Sequence, residues 1–105
     1  MNRPPAVLDG AEVLEYAIVD DSVCFTGRLH LYHGDNRIGP VPCLAICKDP
    51  DMAELLLFHC DSSWNVLGAQ IWNSPDSQAI TSVDQVKEKA ENFYKGISEK
   101  WIKCE

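Results

Sequence analysis

Within residues 54–72, two predicted strands carry apolar residues at both their odd-numbered and their even-numbered positions. The strands read ELLLFHC and WNVLGAQIW, and the polar turn Asp61-Ser62-Ser63 separates them. Successive side chains of a strand point to opposite faces of its sheet, and here both faces receive apolar residues. The pattern therefore predicts a central hairpin that is apolar on both faces and needs cover on each of them.

Three earlier segments also alternate between apolar and polar residues, and they predict strands at 11–19, 23–33 and 38–48. The segment 23–33 has the longest alternation. Gly34-Asp35-Asn36 then has the composition of a hairpin turn. Pro40 and Pro42 remove two backbone donors from one edge of the next strand, so we expect that edge to be unpaired there.

One amphipathic helix is predicted near the carboxyl end. Ser82 followed three residues later by Gln85 is a capping-box pattern. Gly96 either ends this helix or only weakens it. The apolar stripe of the helix recurs at gaps of three and four residues and consists of Val83, Val86, Ala90, Phe93, Ile97 and Trp101.

These elements predict an α+β fold in which a five-stranded antiparallel meander packs against one C-terminal α-helix. With 105 residues we expect a single α+β domain over 11–105, preceded by a flexible tail over 1–10. One helix covers one face of the sheet. The second apolar face must be hidden by curling into a half-barrel, by a second copy, or by a ligand or protein partner.

The net charge limits which classes of partner we expect, and the cysteine pattern indicates the cellular compartment. Sixteen acidic and nine basic residues give a net charge of −7, which repels nucleic acids and anionic membranes and favours a basic protein surface. We therefore expect no nucleic acid and no membrane as partner. The chain shows no membrane span and no signal peptide, and its five cysteines lack C-x-x-C spacing, so we expect reduced thiols and a cytoplasmic location.

Cys60 beside His59 is the best candidate for a thiol nucleophile. Adjacent strand residues face opposite ways, so we expect His59 not to activate the thiol. No close pair of metal ligands and no glycine-rich phosphate loop accompanies them. The sequence predicts no catalytic residue, no metal site and no cofactor, and it favours a non-enzymatic role while leaving an enzyme open.

Two sets of residues are candidates for binding. Arg28, His30 and Tyr32 share one parity and form a polar stripe that could receive a carboxylate, a phosphate or an acidic loop. Aromatic residues carry much of the energy of interfaces, and the predicted anchors are Trp64, Val66 and Trp72.

The leading functional hypothesis is a non-enzymatic acidic binding module, inhibitor- or immunity-like by analogy. It would use an apolar sheet face for self-association as a homodimer or for a protein partner. One alternative is a small-ligand carrier or cysteine-dependent enzyme with a pocket between sheet and helix. Another is a subunit whose sheet face completes a larger assembly.

Overall fold

The computed structural model describes residues 3–72 and 80–104 of the chain. Its elements follow in chain order: β1 (Val7–Leu8), β2 (Ala11–Ile18), β3 (Cys24–Phe25), β4 (Tyr32–His33), β5 (Asn36–Arg37), β6 (Cys43–Lys48), β7 (Leu55–Cys60), β8 (Val66–Ile71), α1 (Val83–Glu91), β9 (Tyr94–Lys95), a 3-10 turn (Ile97–Glu99) and β10 (Ile102–Lys103).

The main sheet is antiparallel and follows the path β1-β2-β6-β7-β8, with β10 pairing to β2 as well. It curls into a half-barrel in one compact domain with a single helix. The predicted α+β fold, with a five-stranded antiparallel meander and one C-terminal helix, is confirmed. The hairpin β7–β8 lies where the two-faced apolar pattern predicted it.

The predicted strand over residues 23–33 lies outside this sheet, because β2 pairs directly with β6. Only its ends form strands: β3 pairs with β9 and β4 with β5. The alternation still describes burial, since Leu29 is buried between the exposed Arg28 and His30. Alternation therefore indicates which side of a segment faces the core, and it does not guarantee a strand partner.

Two other element boundaries differ from the sequence prediction. Val7 and Leu8 were assigned to the tail over 1–10, but they form β1, and Leu8 is only 5% exposed. The predicted strand over 38–48 begins only at Cys43, after the exposed Pro40 and Pro42. Proline cannot donate to a ladder, which is the physical reason for the later start.

The helix begins as predicted. Ser82 is its N-cap, and the Ser82 hydroxyl accepts a hydrogen bond from the Gln85 N–H. The helix ends at Glu91, ahead of Gly96, whose φ of +96° precedes the 3-10 turn. Within the described ranges no helix is long and apolar enough to cross a membrane.

Two clusters of buried residues lie on opposite sides of the sheet. We call the side that packs against α1 the helix face; its cluster contains Ala17, Leu29, Ile38, Val41, Leu44, Ile46, Leu55, Leu57, Ile80, Val86, Ala90, Tyr94 and Ile97. We call the other side the second face; its cluster contains Leu8, Ala11, Val13, Tyr16, Cys43, Ala45, Cys47, Phe58, Cys60 and Trp64.

Candidate functional site

The second face is closed mostly by the chain itself. Phe58 and Trp64 are each 5% exposed, and the Trp64 ring meets the Tyr16 ring edge-to-face with centroids 5.7 Å apart. The curl of the sheet thus buries most of the second apolar face that the sequence predicts. Any docking surface must be sought where this cover ends.

Trp64 is held inward by the turn that carries it. The N–H groups of Ser63 and Asn65 donate to the Asp61 carboxylate, each over 2.9 Å. Trp64 itself has a φ of +66°, which is rare for a bulky side chain. Its indole nitrogen is buried without a hydrogen-bond partner among the described residues. Trp64 therefore belongs to the core of the single chain, and a partner would contact little of it.

The cover of the second face ends at β8. The strand register sets Ile71 opposite Leu56, Ala69 opposite Phe58, and Val66 opposite Cys60. Ile71 is 40% exposed and Ala69 is exposed, whereas Leu56 and Val66 are half-buried against the second-face cluster. We call Leu56, Val66, Ala69 and Ile71 the β8 rim. It contains no charged or polar side chain.

Within the described residues, the backbone of β8 is only partly covered on its outer side. His33 Nδ1 donates to the Leu67 carbonyl over 3.0 Å, from the side away from β7. β8 is the last strand on the sheet path, and its backbone groups alternate in direction beyond the register shift at Leu67, so we infer that those of Ala69 and Ile71 point outward. No described residue pairs with the outward backbone groups of these two residues. The outer edge of β8 therefore offers two donors and two acceptors that none of residues 3–72 and 80–104 engages.

The six predicted binding residues do not form one surface. Trp64 packs in the second-face cluster, whereas Trp72 packs against the helix-face cluster. The other four lie elsewhere. Val66 lies in the β8 rim, and the stripe of Arg28, His30 and Tyr32 is exposed on the segment that ends at β4, beside β8.

The thiols of the second face are poor nucleophiles. Cys43 and Cys60 face each other across β6 and β7, and burial raises the pKa of both, that of Cys60 to about 12. Burial likewise raises the pKa of Cys47. Protonated thiols dominate at neutral pH, and only the thiolate is an effective nucleophile. His59 lies on the opposite side of the strand from Cys60, as the alternation predicted.

His59 is fully buried on the helix face. Its Nε2 donates to the Gln70 side-chain carbonyl over 2.9 Å, and its ring lies 6.2 Å from that of Tyr94. Nδ1 is then an acceptor with no hydrogen-bond partner among the described residues. Burial lowers the pKa of His59 to about 4, although the bond to Gln70 partly opposes this. The ring is therefore neutral and enclosed at neutral pH.

A groove of about 480 Å³ lies between the turn after β2 and the segment before β6. Its apolar lining consists of Val19, Val23, Phe25, Pro40, Val41 and Pro42. Asp20 and Asp21 complete the lining. The helix contributes nothing to this lining, so the groove differs from the predicted pocket between sheet and helix.

Glycine at position 39 allows Phe25 to pack in this groove. Gly39 has a φ of +116°, and a Cβ built there would lie 2.5 Å from Phe25 Cζ. From the sequence, Pro40 and Pro42 predict only an unpaired strand edge, and Asp20-Asp21-Ser22 predicts only a turn. Nothing local in the sequence signals that these segments meet.

Metal binding finds no support in the side-chain arrangement. Across residues 3–72 and 80–104 no three His, Cys, Asp or Glu side chains are grouped so that they could hold an ion.

Comparison with protein-family models, with characterised proteins and with solved structures gives no match for this chain.

Proposed function

We propose that this chain is a non-enzymatic binding module that associates with a second copy of itself through the β8 rim. The observation that carries this proposal is that none of the residues the structure describes pairs with the outer edge of β8 at Ala69 and Ile71. A strand at the edge of a sheet can pair with another strand through its free N–H and C=O groups. Two copies of β8 would then join two half-barrels into one continuous sheet.

Comparison with the other edge of the sheet supports the choice of β8. There β2 is covered by the two-residue strands β1 and β10, and short strands offer little to pair with. In contrast, β8 has six residues and carries neither a charge nor a proline. Natural edge strands usually carry such protective residues or a bulge, and β8 has only a register shift at Leu67, which leaves residues 68–71 in regular register.

A second copy suits this surface because the rim is neutral. The chain carries a net charge of −7, so two copies repel each other wherever acidic surfaces meet. Screening reduces that repulsion beyond about 8 Å at physiological salt. Antiparallel pairing of β8 with its own copy satisfies the two-fold symmetry that most homodimers adopt.

The expected association is weak. Stable interfaces bury a total of about 1,200–2,000 Å². Two six-residue strands with four small or medium apolar side chains each would bury less than that. We therefore expect a dissociation constant in the micromolar range, with the dimer populated at high protein concentration.

The decisive experiment introduces charge at the rim. Sedimentation velocity over a range of concentrations should show a dimer for the parent chain and a monomer for Ile71→Lys. Val7→Lys is the matched control, because Val7 is an exposed valine on the other edge, 55% exposed. It should dimerise like the parent chain. Ala69→Lys provides a second rim variant at an exposed position.

Two outcomes would contradict the proposal. One is a parent chain that stays monomeric in the high micromolar range. The other is a dimer that Val7→Lys weakens as much as Ile71→Lys does. Circular dichroism of each variant separates loss of association from loss of folding.

The thiols support the non-enzymatic part of this proposal, and they also support the cytoplasmic location that the sequence predicts. All five cysteines, each in a described part of the chain, are free. Reduced thiols suit a reducing compartment. Burial raises the pKa of the three thiols that lie deepest, which disfavours a cysteine-dependent enzyme.

A further inference from the structure

The groove between the turn after β2 and the segment before β6 combines an apolar floor with one available carboxylate. Asp20 is already engaged: its carboxylate accepts hydrogen bonds from Ser22 and pairs with Lys100 Nζ at 3.0 Å. These contacts lower the pKa of Asp20 to about 2. Asp21 is exposed, and neither of the salt bridges between described residues uses its carboxylate.

We infer that this groove binds an arginine side chain from a basic partner protein. The aliphatic stem of arginine matches the valine and proline walls, and its head reaches a carboxylate at the rim. Phe25 is half-buried, so part of its ring is open to the groove. This site does not involve the β8 rim and does not depend on dimerisation.

Arginine fits the groove better than lysine for two physical reasons. Its planar guanidinium is weakly hydrated and stacks on aromatic rings, whereas the ammonium group of lysine is strongly hydrated. It can also donate two parallel hydrogen bonds to one carboxylate. Phe25 and Asp21, which both line the groove, supply one partner for each property.

Charge supports a basic partner over a free amino acid. A net charge of −7 raises the encounter rate with positively charged surfaces. One exposed ion pair stabilises a complex only modestly. The groove thus fixes one residue of a larger interface, and a single side chain in solution should bind with a millimolar dissociation constant.

The test is a titration of ¹⁵N-labelled protein with N-acetyl-arginine amide, followed by amide chemical shifts. We expect saturable shifts at Val19, Val23, Phe25 and Val41. Asp21→Asn should weaken binding about two- to five-fold, as for removal of one exposed ion pair. The uncharged analogue N-acetyl-citrulline amide should lose affinity to a similar extent.

Asp35→Asn is the matched control, because Asp35 is also an exposed aspartate in a turn but lies outside the groove. It should bind the arginine probe like the parent chain. The inference fails if the groove amides show no saturable shift. It also fails if Asp21→Asn and Asp35→Asn have the same effect, or if the citrulline probe binds as well as arginine.

Discussion

The two faces of the sheet are covered by different means. On the helix face, large side chains such as Leu44, Ile46 and Leu57 pack against α1 and Tyr94. On the second face β6 presents the small residues Cys43, Ala45 and Cys47. Small side chains leave room for the sheet to curl, and aromatic rings fill the remaining space. One helix and the curl of the sheet therefore cover most of a hairpin that is apolar on both sides.

This comparison makes Trp64 the residue on which the second face depends most. Trp64→Ala should lower the free energy of unfolding by about 3–5 kcal/mol, because a buried aromatic ring is lost and a cavity remains. It should also expose Cys43 and Cys60 to thiol reagents in the folded state. Urea unfolding and the rate of thiol labelling measure the two effects.

Trp101→Ala is the control for that experiment, because Trp101 packs against the helix-face cluster. In the Trp101→Ala variant the cysteine thiols should be labelled no faster than the lower stability of that variant explains. Equal folded-state labelling in both variants would mean that Trp64 is not the cover of the second face.

A second prediction concerns acid and the helix face, where His59 is buried. The pKa of His59 falls from 6.5 in the unfolded chain to about 4 in the folded one, because burial disfavours the charged ring. Between these values the unfolded chain binds the extra proton, so stability is lost as the pH falls. We expect a loss of about 3 kcal/mol across that range from this residue.

Urea unfolding at several pH values, in the parent chain and in His59→Gln, measures this loss. Carboxylates titrate in both proteins, so their contribution cancels in the comparison. The variant should show a flatter dependence of stability on pH between 6.5 and about 4. Parallel curves for the two proteins would show that His59 does not sense acid.

The parts of the fold that the sequence predicted are those with local causes. The hairpin β7–β8 follows from two adjacent apolar runs and a polar turn, and the helix start follows from Ser82 and Gln85. The alternation over 23–33 predicted burial but not pairing. Pairing of β2 with β6 skips that segment, and such a choice depends on the energy of the whole sheet.

The candidate sites depended even more on distant contacts. Predicting that Ala69 and Ile71 are exposed at the β8 rim requires knowing where the curl of the sheet ends. The groove requires that Asp21 and Pro40 meet across the fold. A usable signal was present for the second face: β6 alternates small and large residues, Cys43, Ala45 and Cys47 against Leu44 and Ile46. That alternation favours curling over a missing partner.

The smallest change in the free energy of unfolding should come from weakening α1, which covers only the helix face. Ser82→Ala removes the side chain that accepts the Gln85 N–H, and loss of an N-cap costs about 1 kcal/mol. Ser98→Ala is the control, since Ser98 is exposed in the 3-10 turn. Because the second face is closed by curling and not by the helix, folded-state labelling of Cys43 and Cys60 should stay at the parent rate in Ser82→Ala. Faster labelling at matched stability would mean that the two covers are coupled, and that α1 also holds the curl of the sheet.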